Sequence, residues 1–406
     1  MALFVQKFGG TSVGSLERIE AVAELVVKTR QQGHQVVVVL SAMSGETNRL
    51  IDMARQLDTR PNSRELDVLL TTGEQVSVAL LAMAIIKRGH SAISLLADQV
   101  GIQTTNHFGK AHIERIDTKR LAQELEHNRI AIIAGFQGRD NEGNITTLGR
   151  GGTDTTAVEL AAALKADECQ IFTDVDGVYT TDPRIEPKAQ RLACITCDEM
   201  LSLAGLGAKV LHLRSVEAAG RHKVPLRVLS SFSPDAGTLI TYDDNSMLQR
   251  VVSGIAASRD EVQVTVIGSM PHVPNLELIE ALCTENNIAI DMITQTQQHS
   301  EKIGYAFTVH SNDHLQVIEI LQSNLGYIRA HHVESYMDVA KVSAVGLGMK
   351  SNCTVTGQFF SALAQEGIKT LMDASSEIKV SVLVEEKYLE LAVRTLHATF
   401  FSESTE

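Results

Sequence analysis

The chain has 406 residues, too many for one ordinary core, which implies two or three domains. Hydrophobic residues make up 44% and charged residues 21%, and the net charge of −13 speaks against nucleic acid or an anionic membrane as the main partner. The N-terminus lacks the parts of a secretory signal, no apolar run approaches the roughly 20 residues of a bilayer span, and five cysteines without a signal fit a reducing cytoplasm.

From residue 1 to about 235 the pattern alternates strand and helix. Strands are predicted at 3–8, 36–41, 92–96, 129–136 and 170–173, and helices at 15–32, 65–87, 118–126 and 154–164. Most of the strands are continuous apolar runs, as in strands covered on both faces. The alternation implies a mainly parallel sheet with helices on both faces, whose ligands bind at the carboxyl ends of the strands.

The loops at those ends are unusual. The first is Lys7-Phe8-Gly9-Gly10-Thr11-Ser12, and the second is Ser41-Ala42-Met43-Ser44-Gly45-Glu46-Thr47. Thr71-Thr72-Gly73-Glu74 either interrupts the pattern at 65–87 or starts a second helix. After the fourth strand come Gly135-Phe136-Gln137-Gly138 and then Thr147 to Asp154, which contains Gly149-Arg150-Gly151-Gly152. After the fifth come Thr173-Asp174-Val175-Asp176-Gly177-Val178-Tyr179 and Asp182-Pro183-Arg184. Glycines at strand ends let backbone N–H groups approach a ligand, and helix N-termini favour phosphate or carboxylate. A single Gly-Gly-hydroxyl turn is satisfied by a turn and helix cap, and Asp154 alone by an N-cap. Two such turns, each near a basic residue (Lys7 and Arg150), point to an anion site.

Neither turn is a Walker A loop, no G-x-G-x-x-G opens the first helix, and the protein-kinase and zinc-protease strings are absent. Cys194 and Cys197 form a lone C-x-x-C and are read as ordinary thiols; His331-His332 reads as a solvated pair.

The chain divides near 245. Elements at 261–267, 275–286, 288–294, 303–310, 313–325 and 330–335 read β-α-β-β-α-β, and those at 341–346, 353–366, 368–373, 378–384 and 386–400 read β-α-β-β-α. This is a ferredoxin-like unit of roughly 75 residues, repeated. Residues 251–258 form a strand without a unit of its own. It completes the second copy if the first copy is inserted within the second.

KFGGTS, SAMSGETN, LLTTGE, AGFQG, TTLGRGGTDTTA, TDVDGVYTTDPR and GAKVLH, in this order from residue 1 to about 244, resemble the aspartate kinases of the amino-acid kinase family. The later units resemble ACT domains through NIAIDMI and GLGMKS, although the second string continues with Asn352 where the family usually has histidine. The usual Asp-x-Pro-Gly turn of the first unit is replaced by Ser269-Met270-Pro271-His272-Val273-Pro274.

The resemblance implies a mainly parallel α/β kinase domain at 1–244 and a regulatory region at 245–406. The latter would hold two βαββαβ ACT units, one at 261–336 and one built from 250–258 and 337–401. It also implies ATP-dependent phosphorylation of the β-carboxylate of L-aspartate to 4-phospho-L-aspartate, the step that opens lysine, threonine and methionine synthesis. An ionised carboxylate with a pKa near ~4 needs no general base, so the burden falls on positive groups, N–H donors and Mg²⁺ carried by ATP.

On this resemblance Lys7 contacts the phosphoryl oxygens, and Phe8, Gly9 and Gly10 line the phosphate cradle. Arg150 holds the α-carboxylate and Glu74 the α-ammonium, with Ser41 and Thr47 as further polar contacts. Asp154 positions Lys7 or the metal-bound phosphates, without side-chain metal ligands. Thr173, Asp174, Tyr179, Arg184 and Lys209 resemble the nucleotide site. Lysine, threonine or both would be feedback inhibitors, with Met270, His272, Gln295, Thr296, Ser351, Asn352, Thr354 and Val355 as candidate contacts. The ACT units would also pair copies into a dimer or tetramer, and no homoserine dehydrogenase is expected behind residue 406. The alternatives are a glutamate 5-kinase-like enzyme and a non-catalytic amino-acid sensor.

Overall fold

The computed structural model describes residues 1–206, 210–242, 251–269, 273–298, 302–347, 349 and 353–402. They form two compact units. Described residues up to Val178, Arg191–Ala204 and those from 210 to 242 make the first; Tyr179–Gln190, Gly205, Leu206 and those from 251 onward belong to the second.

The first unit begins with β1 (Leu3–Phe8), α1 (Leu16–Gln31), β2 (Gln35–Leu40), α2 (Glu46–Leu57), α3 (Ser63–Lys87) and β3 (Ala92–Leu95). Two short strands follow, β4 (Ile102–Thr104) and β5 (Ile113–Ile116), then α4 (Lys119–Glu126), β6 (Ile130–Ala134), β7 (Gln137–Arg139), β8 (Ile145–Thr147) and α5 (Gly152–Leu164). It closes with β9 (Glu168–Thr173), β10 (Cys194–Thr196), α6 (Cys197–Gly205), α7 (Leu213–His222), β11 (Leu226–Ser230) and β12 (Thr238–Thr241).

The main sheet runs β10-β12-β11-β9-β1-β2-β6-β3. Its pairs are parallel except β11–β12. β2 reads QVVVVL and buries all but its first residue, because helices cover both faces. Val36, Val38 and Leu40 pack with Ile19 and Val22 of α1 and Leu81 and Ile85 of α3. Ser15 starts α1 by accepting a hydrogen bond from the Arg18 N–H, and Asn62 caps α3 in the same way. On the other face, α5 packs on β1 and β9. A second sheet, β5-β4-β7-β8, lies in the same unit; its strands of three or four residues were not expected.

α3 is continuous through Thr71–Glu74, so that segment neither interrupts the helix nor starts a second one, which corrects both expectations. By length and composition it could cross a bilayer, which corrects the expectation that no apolar run comes near that length. Within the unit it buries Leu70, Val78, Leu81 and Ile85, together with Asp67 and Glu74.

The second unit contains β13 (Gly254–Ser258), β14 (Glu261–Ser269), α8 (Leu276–Glu285), β15 (Ile290–Gln298), β16 (Lys302–His310), α9 (His314–Ser323) and β17 (His332–Tyr336). It continues through β18 (Val339–Val345), α10 (Cys353–Gln365), β19 (Met372–Ser375), β20 (Lys379–Glu385) and α11 (Leu389–Phe401). Two antiparallel sheets result, β15-β16-β14-β17 and β13-β18-β20-β19. β13 pairs with β18 across the chain that builds the other sheet. Each sheet has its own apolar core, one around Phe307 and Ile279 and the other around Phe359 and Leu396. The segment Tyr179–Gln190 packs in this unit: Thr180 Oγ1 lies 2.9 Å from His397 Nε2, and the Arg394 Nε–H donates to the Ile185 carbonyl at 3.0 Å.

Candidate active site

Register places the ends of four parallel strands flush. Phe8 pairs with Leu40 on one side and Phe172 on the other, and Leu40 pairs with Ala134. The loops leaving those ends wall a cleft of about 480 Å³ lined by Lys7, Gly9, Gly10, Ser41, Thr47, Glu74, Phe136, Arg150, Asp154 and Thr173, with the glycines of 149–152. The volume suits a small ligand. A hollow of about 650 Å³ in the second unit is walled by Arg259, Asp338, Glu385, Glu386 and Lys387, whose charges largely pair with one another on the surface.

Lys7 is the next-to-last residue of β1, in register with Val39 and Ile171, so its stem is held in the sheet. Its Nζ lies 2.6 Å from Asp154 Oδ1, with the two side chains 10% and 15% exposed. Asp154 stands in the first turn of α5, whose N-cap is Gly151, so the carboxylate is engaged with Lys7 and is not the cap. A Cβ on Gly9 would come within 3.3 Å of the Lys7 amine, and one on Gly10 within 3.1 Å of the Ala42 carbonyl. Bare backbone is what lets the two loops close around that amine.

Glu74 enters from α3. A Cβ at Gly73 would sit 2.8 Å from that of Ala42, so the glycine lets the helix come close enough for Glu74 to reach in. Glu74 is 3% exposed. One carboxylate oxygen accepts the Ala42 N–H at 3.1 Å; the other is buried with no hydrogen-bond partner among the described residues. Burial pushes its pKa up to about 7, against the opposing pull of the Ala42 N–H. Ser77, one turn on, donates to the Ser41 carbonyl at 2.8 Å and ties α3 to the second loop.

Arg150 is exposed on a loop between two left-handed glycines, Gly149 (φ 77°) and Gly151 (φ 72°). The arrangement gathers a paired cation, a free guanidinium-bearing loop, an unsatisfied buried carboxylate and a helix N-terminus around one small volume. Such a site can hold a zwitterion against an anion.

The other expected residues differ in their surroundings. Phe8 is fully buried and stacks on Phe172 at 4.5 Å, so its ring belongs to the core and not to the cleft. Thr173 lines the cleft and donates to Asp174 at 3.0 Å, while Asp174 itself is exposed. Tyr179 and Arg184 lie in the second unit, where the Arg184 side chain is 86% exposed and paired with Asp182 at 2.7 Å. Gln295 and Thr296 lie on β15, and Thr354 is exposed on α10, but Val355 packs into the core of the β18 sheet. Lys209, Met270, His272, Ser351 and Asn352 lie outside the described residues. Cys194 and Cys197 are free thiols, and among the described residues no cluster of acidic, histidine and cysteine side chains could hold a metal.

Two residues were missed. Phe136 lines the cleft with φ 67°, a conformation rare for a bulky side chain. A phenylalanine beside a strand-end glycine was the available signal. The His212 ring lies against Gly151, where a Cβ would come within 2.2 Å, and its Nδ1 is buried without a partner among the described residues. GAKVLH had pointed to that stretch only through Lys209.

The sequence pattern of the amino acid kinase family matches residues 2–230, and that of an ACT domain matches residues 342–400. An aspartate kinase of Stutzerimonas stutzeri is 55% identical over 402 residues, covering 98% of this chain and 97% of that protein. The crystal structure of E. coli aspartokinase III in complex with aspartate and ADP matches with a TM-score of 0.81 at 27% identity, covering 98% of this chain and 100% of that one. The same enzyme in complex with lysine and aspartate (T-state) matches with a TM-score of 0.77 at 27% identity over the same shares. The pattern match over most of the first unit and the near-complete coverage of these relatives lead to one assignment: the chain belongs to the amino acid kinase family, on its aspartate kinase branch.

Proposed function

We propose that the protein transfers the γ-phosphoryl group of ATP to the β-carboxylate of L-aspartate, giving 4-phospho-L-aspartate and ADP. The observation that carries this is Glu74, a buried carboxylate in the cleft with one oxygen unsatisfied. An α-ammonium supplies the missing donors and the missing charge. Arg150 then takes the α-carboxylate with its two-pronged guanidinium. The side-chain carboxylate is left for the Lys7 end of the cleft.

There a carboxylate oxygen attacks the γ-phosphorus, the bond to the bridging oxygen breaks, and ADP departs with that oxygen. No proton has to be removed from the nucleophile. Lys7 offsets the charge of the two meeting anions, and Asp154 fixes the direction of its amine. Mg²⁺ binds mostly through substrate phosphates and needs few protein ligands. Asp154, beside Lys7, is the acidic group of the cleft nearest that amine. Bound to the nucleotide, the ion would neutralise phosphate charge.

Thr173, Asp174, Tyr179 and Arg184 are the described candidates for the nucleotide side. The ACT region makes this a feedback-regulated enzyme with lysine, threonine or both as inhibitors, and Gln295, Thr296 and Thr354 as candidate contacts. E. coli aspartokinase III, with its lysine complex, supports the choice of lysine. Copies of the chain would pair through the ACT sheets as a dimer or tetramer in the cytoplasm.

The test is ADP release from Mg·ATP, coupled to a spectroscopic reporter, with aspartate, glutamate or acetylglutamate as acceptor. Aspartate alone should drive release. Preference for either other acid, or binding of aspartate without turnover, would replace this reading with another amino-acid kinase or with a sensor.

A further inference from the structure

Asp67 stands seven residues before Glu74 on α3, two turns away on the same side of the helix. It is 1% exposed, yet no part of the reaction requires it. Its Oδ2 accepts the Thr147 N–H at 2.8 Å and the Gly109 N–H at 3.0 Å, and its Oδ1 accepts the Thr147 hydroxyl at 2.8 Å. Thr147 is the last residue of β8, three residues before Arg150.

Gly109 bears on the same loop from another side. A Cβ at Gly149 would lie 2.8 Å from the Gly109 carbonyl, so Gly149 rests directly on the backbone that Asp67 holds. The Ala111 N–H also donates to the Thr147 carbonyl at 2.9 Å. Arg150 sits between two left-handed glycines, and its position therefore depends on how firmly the chain is anchored on either side. On the α5 side the anchor is the helix. On the β8 side backbone bonds to Ala111 and Phe136 share the work, and Asp67 is the buried carboxylate that gathers both Thr147 and Gly109.

We propose that Asp67 is a positioning residue that fixes the Arg150 loop relative to Glu74, so that one rigid helix sets both ends of the amino-acid site. This rests on the reading that Glu74 and Arg150 hold the substrate's ammonium and carboxylate. Asp67→Asn keeps the shape but removes the charge: its amide oxygen takes the place of Oδ2 on the two N–H groups, and its NH2 group replaces the acceptor of the Thr147 hydroxyl. Its KM for aspartate should rise about tenfold or more, while the KM for Mg·ATP stays within about twofold and kcat changes far less than the aspartate KM.

Thr147→Val removes only the hydroxyl donor and should raise the aspartate KM about threefold. Thr147→Ser restores the donor and should behave as the unaltered protein. These two variants carry the test should Asp67→Asn fold poorly. Limited trypsin cleavage after Arg150, followed by mass spectrometry, should be several times faster in Asp67→Asn and Thr147→Val. That readout does not depend on which acid is the substrate. An unaltered protein that ignores aspartate would overturn the substrate reading, with loop anchoring then judged by the cleavage rates. An unaltered protein that turns over aspartate, alongside variants with unchanged aspartate KM or with both KM values moved equally, would overturn the role given to Asp67.

Discussion

Two buried charges, one in each unit, are treated in opposite ways. In the second unit the Lys341 ammonium, 4% exposed, lies 2.5 Å from Glu261 and 2.5 Å from Asp291. Burial pushes Lys341 down, but the charges of Glu261 and Asp291 more than offset that and leave it above the ordinary lysine range. Burial likewise raises Asp291, and the Lys341 charge wins and holds it low. Glu261 is on β14, Asp291 on β15 and Lys341 on β18, so the cluster ties one sheet to the other. It lies beside the small apolar core of Met292, Ala306, Val339, Met372 and Leu383. In the first unit Glu74 has one N–H partner, one bare oxygen and a pKa pushed up to about 7. A completed cluster holds structure; an incomplete one leaves room for a charge from outside.

The largest effects test the two cations. Lys7→Ala should cut turnover about 10³-fold, since it removes the cation at the transferred phosphoryl, while circular dichroism and cooperative melting persist. Turnover within tenfold of the unaltered protein would remove Lys7 from the chemistry. Lys341→Met should act on stability. It leaves the buried Glu261 carboxylate without its cation, while the 40% exposed Asp291 keeps Lys379 at 3.8 Å, at a cost of about 3 kcal/mol in urea unfolding. Adding Glu261→Gln and Asp291→Asn should recover most of that. A loss below about 1 kcal/mol for the single variant would mean that the second unit does not depend on its cluster.

Glu74→Gln should have the opposite sign on stability. The carboxyl titrates at about 7 when folded and near 4.5 when unfolded, so the folded state binds the proton more tightly. Its favourable contribution is therefore fully present below pH 4.5 and is lost as pH rises through 7. At pH 8 the variant should be more stable than the unaltered protein, by up to about 3 kcal/mol, and the gap should close toward pH 4.5. Aspartate binding should strengthen from pH 6 to pH 8 in the unaltered protein and lose that dependence in the variant. A variant less stable at pH 8, with wild-type aspartate affinity, would show Glu74 to be an ordinary core residue.

Much of this was legible in the sequence, for reasons that differ by segment. β2 and β6 are apolar runs buried on both faces; the strand-end loops drew attention to Lys7, Arg150 and Asp154, LLTTGE to Glu74, and the family resemblance gave all four their roles; the four line one cleft. α2 was not read because it buries only Leu50 and Ala54. The small sheet was not read because strands of three or four residues carry almost no periodicity. Tyr179 and Arg184 follow Asp174 closely in sequence, yet the chain leaves the first unit after Val178. Adjacency along a chain says nothing about such a departure. Asp67 was passed over because its string, LDVLLTTGE, was noticed for its other end.

The smallest effect sharpens the comparison through the backbone. In the second unit the non-glycine residues at positive φ are, among the described residues, Asn287 and Arg329, each in the turn that ends a helix. Phe136 differs, being a bulky residue at φ 67° facing the cleft, held by its N–H on Thr156 Oγ1 at 3.2 Å and its carbonyl on the Leu148 N–H at 2.9 Å. Such a conformation costs on the order of 1–3 kcal/mol and persists where surroundings enforce it. Asparagine tolerates left-handed backbone, so Phe136→Asn should keep stability within about 1 kcal/mol and raise the aspartate KM a few-fold by removing the ring packed near Gly152. Valine, branched at Cβ, does not tolerate it, and Phe136→Val should lose about 1–2 kcal/mol more in urea unfolding. If the two variants unfold at the same urea concentration, no strain is stored at this position, and Phe136 would no longer distinguish the cleft from the finished packing of the second unit.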